Sequence, residues 1–412
     1  MLRLDTRCYG RWVEAVWDAG LMTRWGHVYI AVLSGVAAAL HVGKVPPAIP
    51  LFRAELGMDL VTAGWLMGVV SVLGAVCGLA IGRFTDHLTH RKAMIYGLAL
   101  LVIGSFIGAA THIEAVIFAS RFLESFGLIA VSVAAPGFIN SSIKVEDRQV
   151  ALGLWGVWMP VGVAVMMMTS PFLLPLFGWQ GLWVFAGLFS LVPMALLILA
   201  KVPAGGAASP ASGSLLQAVK LVASRRASWI LAGIFAAYSG SFMSLFGFLP
   251  TLLVEELQIS LTAASLMTAF AVLMNGAGNI IGGMLARKDV PRWLLIAIPS
   301  VLLGVLSVVV FANGYPVWLR YGASILYAVS SGAIPATIMG LLPVYAPRQD
   351  LVGTFSGFVV QGSSVGQVFG PMFLAAIASA MGWSGAPLYI GAMGAIGFVL
   401  ALCLRHSERT TR

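Results

Sequence analysis

The stretch from Gln149 to Ala200 reads QVALGLWGVWMPVGVAVMMMTSPFLLPLFGWQGLWVFAGLFSLVPMALLILA, 52 residues without one Asp, Glu, Lys or Arg. A helix crosses a bilayer in about 20 predominantly apolar residues, so this run is two crossings long, and Gly178-Trp179 supplies a turn inside it. A second run, 351–404, holds 54 residues and divides in the same way at Gly382-Trp383. Shorter uncharged runs cover 60–82, 93–113, 227–254, 257–286, 293–319 and 321–347. Two further apolar segments carry internal charges, Lys44 in 27–52 and Arg121 with Glu124 in 115–143. The expected total is twelve spans. A β-barrel would show short alternating segments instead.

Composition agrees. Hydrophobic residues make up 59% of the 412, and with the 47 Gly counted in and the 9 Tyr left out roughly 68%, where the same set is about 45–50% of soluble domains; charged residues are only 9%, against about 25%. That excludes a soluble enzyme, a disordered chain and a nucleic-acid-binding module. The net charge of +9 is topological: with the N-terminus inside, seven inner segments hold 20 of the 24 Lys and Arg. The exceptions are Lys44, Arg53, Arg121 and Arg320, and the opposite side carries Glu55, Asp59, Glu114, Glu255 and Glu256. By the positive-inside rule both termini face the cytoplasm. Cys8, Cys77 and Cys403 have no metal or redox spacing, so neither a metal site nor a disulfide framework is expected. Residues 1–26 lack the apolar core of a signal peptide and read as a cytoplasmic extension, with Met22 as an alternative start.

Shifted by 200 residues, the chain matches itself. Pro50 meets Pro250, Glu55 meets Glu255, Thr62-Ala63 meets Thr262-Ala263, and Gly78, Gly82 and Gly104 meet Gly278, Gly282 and Gly304. Arg121 and Pro136 meet Arg320 and Pro335 at a shift of 199. A repeat of this length fixes the architecture: a six-span half over 27–200, a flexible cytoplasmic linker over 201–227 that opens with PAGGAASPASGS, a second six-span half over 228–404 and a tail, 405–412. Small residues, Gly and Pro give such a linker its flexibility.

The loop after the second span reads Gly82-Arg-Phe-Thr-Asp86-His-Leu-Thr-His-Arg91-Lys92. It resembles the signature of the major facilitator superfamily, with a Gly, an Asp four residues on and a basic pair after a tight turn. His87 stands where the family has Arg, and Thr89 where it has Gly. The second-half copy keeps Gly282 and Arg292 and has Ala286 in place of the acid. Arg121-Phe-Leu-Glu124-Ser-Phe-Gly127 is similar to the family's fourth-helix motif, and HVGKVPPAIPLFRAELG with GGMLARKDVPRW resembles its cyanate-transporter-like branch. The fifth-helix antiporter signature is imperfect here, Ser170-Pro171, with a better copy at Gly366 and Gly370-Pro371. The resemblance implies the major facilitator fold: twelve helices in two pseudo-symmetric bundles, with helices 1, 4, 7 and 10 around a central cavity. It also implies that Gly82, Asp86, Arg91 and Lys92 serve conformational switching and bind no substrate.

Ionisable groups inside a bilayer are costly, so each is a functional candidate. Lys44, six residues before Pro50, is expected about 9 Å from the outer end of the first span at 1.5 Å per residue, and Arg121 at a similar depth. His41 and Lys44 share a helix face at i and i+3, as do Arg121 and Glu124. The resemblance implies that the two pairs face one another across the cavity. Lys44 and Arg121 would neutralise an anionic substrate, and Glu124 would take up a coupling proton. The competing reading has Lys44 snorkelling outward and Arg121–Glu124 as a structural pair. His41 is a further candidate, and Arg320 either faces inward as a third cation or sits in an aromatic belt with Tyr315, Trp318 and Tyr321. Tyr238, Ser241, Ser244 and Tyr327 are the neutral candidates, with Ser241 and Ser244 the repeat mates of His41 and Lys44.

No nucleotide-binding loop occurs, so neither ATP nor another cofactor is expected, and no nucleophile, base or metal constellation suggests an enzyme. These features together imply an all-α membrane protein, a secondary active transporter of a small anionic or carboxylate-bearing solute. It is expected to be coupled to protons, to lie in the bacterial inner membrane and to work as a monomer without nucleic acid. A drug exporter of the same fold and a transporter-like sensor are the alternatives.

Overall fold

The computed structural model describes residues 24–84, 89–144, 146–200, 215–288, 290–348 and 351–410. The helices α1 to α4 are Trp25–Leu56, Leu60–Gly78, His90–Ala109 and Glu114–Asn140. One helical stretch, Val150–Leu199, carries both α5 (150–177) and α6 (179–199). Its 50 residues would reach about 75 Å if straight, more than twice the hydrocarbon thickness of about 30 Å. Gly178 breaks it with φ 59° and ψ −166°, a backbone conformation open to Gly. The second half follows as α7 Arg226–Glu255, α8 Leu261–Arg287, α9 Leu294–Phe311, α10 Val317–Tyr345, α11 Val352–Met381 and α12 Trp383–His406. Gly382, φ 73°, turns the chain between the last two. All twelve expected spans are therefore present. Residues 1–23, the loop residues 85–88 with Asp86, and most of the proposed linker lie outside the described residues.

The first span departs from expectation. Pro50 does not end α1; the helix runs on to Leu56 and stops at Gly57, which takes φ 66° and donates its N–H to the Phe52 carbonyl. Asp59 then caps α2 by accepting the Thr62 N–H at 2.7 Å. Inside α1, Pro46 and Pro47 supply no N–H to the carbonyls of Val42 and Gly43, and the helix is interrupted at Lys44.

The repeat is visible in the packing. In the first half α1 lies against α5, where a side chain on Gly162 would strike Val36 and Ala39. At the matching positions α7 lies against α11, where one on Gly362 would strike the Ala232 backbone. Small residues permit such close approach. The halves meet through α1 with α7, α2 with α11 and α5 with α8. Ser71 donates to the Gln367 side chain at 2.9 Å, and Gln361 donates to the Ala75 carbonyl at 2.7 Å. Beyond them Arg53 reaches both Glu255 carboxylate oxygens, at 2.6 and 2.7 Å. Outward faces carry Phe172, Leu176 and Leu199 exposed, a surface suited to lipid.

Candidate functional site

Four helices of the first half converge on one carboxylate. His41 and Lys44 come from α1, Arg121 and Glu124 from α4, Ser105 from α3, and Trp183 and Ser190 from α6. His41, Lys44, Arg121 and Glu124 are fully buried. Lys44 Nζ lies 2.5 Å from Glu124 Oε1, 2.9 Å from Ser105 Oγ and 3.4 Å from His41 Nδ1, so its three donors have three acceptors. It also stands 4.4 Å from the centre of the Trp183 ring, a cation–π contact. Arg121 Nη1 donates to Glu124 Oε2 at 2.5 Å and to the His41 carbonyl at 2.6 Å, just before the interruption in α1. Arg121 Nε and Nη2 have no hydrogen-bond partner.

Donor and acceptor roles follow from the neighbours. Ser105 and Ser190 give their hydroxyl protons to the carbonyls of Trp183 and Ala186, both at 2.8 Å. Each hydroxyl then accepts: Ser105 from Lys44, and Ser190 from His41 Nε2 at 3.0 Å. His41 Nδ1 is left facing Glu124 Oε1 at 3.1 Å. Two acceptors at that distance form a hydrogen bond only with a proton between them.

Two expectations about this cluster change. Lys44 is twelve residues below the end of α1 at Leu56, about 18 Å at 1.5 Å per residue, twice the depth expected when the span was taken to end at Pro50. The α1 and α4 pairs also do not face one another across an open cavity. They bond directly, and α3 and α6 close the space behind them.

The other candidates are dispersed. Arg320 is buried in the first turn of α10, where its Nε donates to the Val310 carbonyl at 2.8 Å, satisfying a group that the end of α9 leaves free. Ser241 and Ser244 bond to carbonyls of their own helix, Ala237 at 2.7 Å and Gly240 at 2.6 Å. Tyr238 joins a neutral cluster in which Asn275 of α8 shares the two N–H groups of its Nδ2 among three acceptors, the Tyr238 hydroxyl at 3.2 Å, Ser331 at 3.1 Å and the Ala328 carbonyl at 3.2 Å. Tyr327 is fully buried with its ring edge-on to Phe246. In the loop motif, Arg91 donates to the Leu197 and Ile198 carbonyls at 2.7 and 2.8 Å, capping α6. Thr89, in the family's Gly position, caps α3 by accepting the Lys92 N–H at 3.4 Å. Gly82 falls in the last turns of Val72–Phe84. Sequence reasoning did not mark Ser105, Ser190, Trp183 or the Arg53–Glu255 pair. Among the described residues no group of three His, Cys, Asp or Glu is placed for a metal.

Twelve apolar spans in two repeated bundles, with ionised groups held in the interior of one, define a multi-pass membrane protein of transporter type. The profile of the Major Facilitator Superfamily matches residues 30–360 and 254–412, and the chain belongs to that family. It is 25% identical over 346 residues to the probable nitrate/nitrite transporter NarK2 of Mycobacterium tuberculosis, covering 81% of this chain and 84% of that one. It is 24% identical over 369 residues to the putative niacin/nicotinamide transporter NiaP of Bacillus subtilis, covering 88% and 87%. The crystal structure of a bacterial homolog to the human lysosomal transporter Spinster, inward-facing and unoccupied, superposes with a TM-score of 0.76 at 14% identity, over 92% of this chain and 96% of that one. The chain is a transporter and not an enzyme.

Proposed function

We propose that this transporter carries a small anionic or carboxylate-bearing solute across the bacterial inner membrane by alternating access, coupled to protons, with both termini cytoplasmic. The observation that carries the reading is the charge of the buried cluster. Lys44 and Arg121 contribute two cations and Glu124 one anion, while the three N–H groups on Nε and Nη2 of Arg121 are unspent. A buried guanidinium with free donors favours a planar anion, which it can grip through two parallel hydrogen bonds. The relatives' descriptions support the same class, since nitrate and nitrite are anions and niacin carries a carboxyl group.

Coupling rests on the place for a proton between His41 Nδ1 and Glu124 Oε1. An anion on Arg121 competes with Glu124 for that cation, and a proton on the His41–Glu124 pair replaces the charge Glu124 loses. Solute and proton then load and leave together. Loading requires α1 to part from α4, and the interruption of α1 at Lys44 supplies the point at which it bends.

The test is uptake of labelled nitrate, nitrite and nicotinate into proteoliposomes, with and without an imposed proton gradient. One anion should accumulate when the gradient is present. Lys44→Ala and Arg121→Ala should abolish its uptake, whereas Glu124→Gln should still exchange it but no longer concentrate it. If none of the anions moves, or if all three variants behave as wild type, the cluster is structural and the proposal fails.

A further inference from the structure

On the far side of the second half, between α9 and α12, an apolar groove of about 240 Å³ is lined by Trp293, Ala297, Ile298, Val301, Leu302 and Phe398. Its outer wall is open to the bilayer: Ile298 is 56% and Val301 46% exposed. Along α9 it runs from Trp293 to Leu302, about 13 Å at 1.5 Å per residue. The hydrocarbon depth of one leaflet is half of about 30 Å, so the groove ends within a single leaflet.

The mouth of the groove is basic. The Arg405 guanidinium, at the end of α12, lies 4.6 Å from the centre of the Trp293 ring. Trp293 directly follows Arg292, and the end of α8 adds the exposed Arg287 and Lys288. In sequence the segments 287–292 and 405–412 hold six Arg and Lys against Asp289 and Glu408. The buried transport cluster uses none of these residues.

We propose that this groove is a binding site for an anionic glycerophospholipid, with one acyl chain along α9 and the headgroup phosphate on Arg405 and Arg292. The site combines an apolar slot as deep as one leaflet with an aromatic residue at its mouth, where Trp favours the membrane interface. Basic pockets between helices at the membrane surface take anionic headgroups in this way. The lipid would tie the outer edge of the second half to the leaflet that meets the basic loops.

The experiment is native mass spectrometry of the full chain in detergent, titrated separately with phosphatidylglycerol, phosphatidylcholine and glycerol 3-phosphate. Wild type should retain phosphatidylglycerol in preference to phosphatidylcholine and should bind no glycerol 3-phosphate. Arg405→Gln should weaken phosphatidylglycerol retention about fivefold, the effect of one basic residue at a charged surface. Val301→Trp, a change at a lipid-exposed position that fills the slot, should weaken it at least as much with every cation in place. Equal retention of the two lipids, binding of the soluble headgroup alone, or unchanged retention in both variants would overturn the proposal. So would a dimer that Val301→Trp separates without changing lipid retention, since the groove would then be a contact between copies of the chain.

Discussion

Neutralising Glu124 and neutralising Lys44 should have very unequal consequences for stability, although the two side chains touch. Among the described residues Glu124 is the single carboxylate facing Lys44 Nζ, Arg121 Nη1 and His41 Nδ1, all within 3.1 Å. Glu124→Gln preserves shape and some hydrogen bonding but leaves two cations buried without a counter-charge. Breaking a buried pair costs about 3–5 kcal/mol for that reason, and this variant should lie in that range. Lys44→Met takes the cluster from one excess positive charge to neutrality, with Arg121 still on Glu124. It loses hydrogen bonds worth about 1 kcal/mol each net and is relieved of a costly buried charge. Met fills a similar volume and keeps a favourable sulfur contact over Trp183, so the net change should stay within about 1 kcal/mol. The double variant leaves Arg121 alone and should be less damaged than the sum of the single changes by about 1–3 kcal/mol. Reversible urea unfolding in detergent, followed by tryptophan fluorescence, gives all three values. If Lys44→Met proves as damaging as Glu124→Gln and the double variant is additive within about 0.5 kcal/mol, the charge accounting is wrong.

The geometry sets three further outcomes. Arg53 and Glu255, 34% and 33% exposed, join the two halves; an exposed pair is worth about 0.2–1 kcal/mol, so Arg53→Ala should open the C-terminal ends of α1 and α7 up to about fivefold more often, read by spin-label distances, and the swap Arg53→Glu with Glu255→Arg should restore wild-type behaviour. Ser190→Ala removes the partner of His41 Nε2 and should cost about 1–3 kcal/mol in the same unfolding assay, as a buried polar group left unpaired. Asp59→Ala removes the α2 cap and should cost about 1 kcal/mol. The Thr62 backbone N–H holds the Asp59 carboxyl below the usual aspartate range, so the cap's contribution is complete above that range and fades as pH falls below about 4, where the difference between variant and wild type should shrink.

The spans were legible because membrane crossing is a constraint on length and charge, which the sequence states directly in runs such as 149–200 and 351–404. Gly178 and Gly382 were legible as turns for a related reason, since both take positive φ. The depth of Lys44 was not, because Pro50 looks like a stop. A proline inside a spanning helix removes one N–H without ending the helix when neighbours are packed around it, and here Gly57 provides the true terminus. Helix faces put His41 with Lys44 and Arg121 with Glu124, and the resemblance implied that the two pairs meet. The serines that complete the cluster could not be anticipated, since Ser105 and Ser190 look like the many other span serines that bond to their own helix. Which of them meets a lysine depends on the packing of α3 and α6. For Arg320 the match to Arg121 left two readings open, and sequence alone could not show that its Nε, three residues into α10, meets the Val310 carbonyl at the end of α9.

The second half also serves as an internal control on the first. At the positions matching His41 and Lys44 it has Ser241 and Ser244, each bonded to its own helix, and the position matching Glu124 is uncharged at either shift, Ala323 or Ser324. The same helix pairs nevertheless pack in the same way, α7 on α11 as α1 on α5 and α9 on α10 as α3 on α4. Among the described residues the second half thus forms its six helices with Arg320 buried but no buried ion cluster, and an amide on Asn275 links α8 to α10. Buried ion pairs are seldom better for stability than the apolar groups that could replace them, and at the positions matching Lys44 and Glu124 the second half has no such pair. Of the four ionisable positions the second half keeps a cation, Arg320 at the match of Arg121, so the pieces that set the first half apart are His41, Lys44 and the Glu124 carboxylate that joins them.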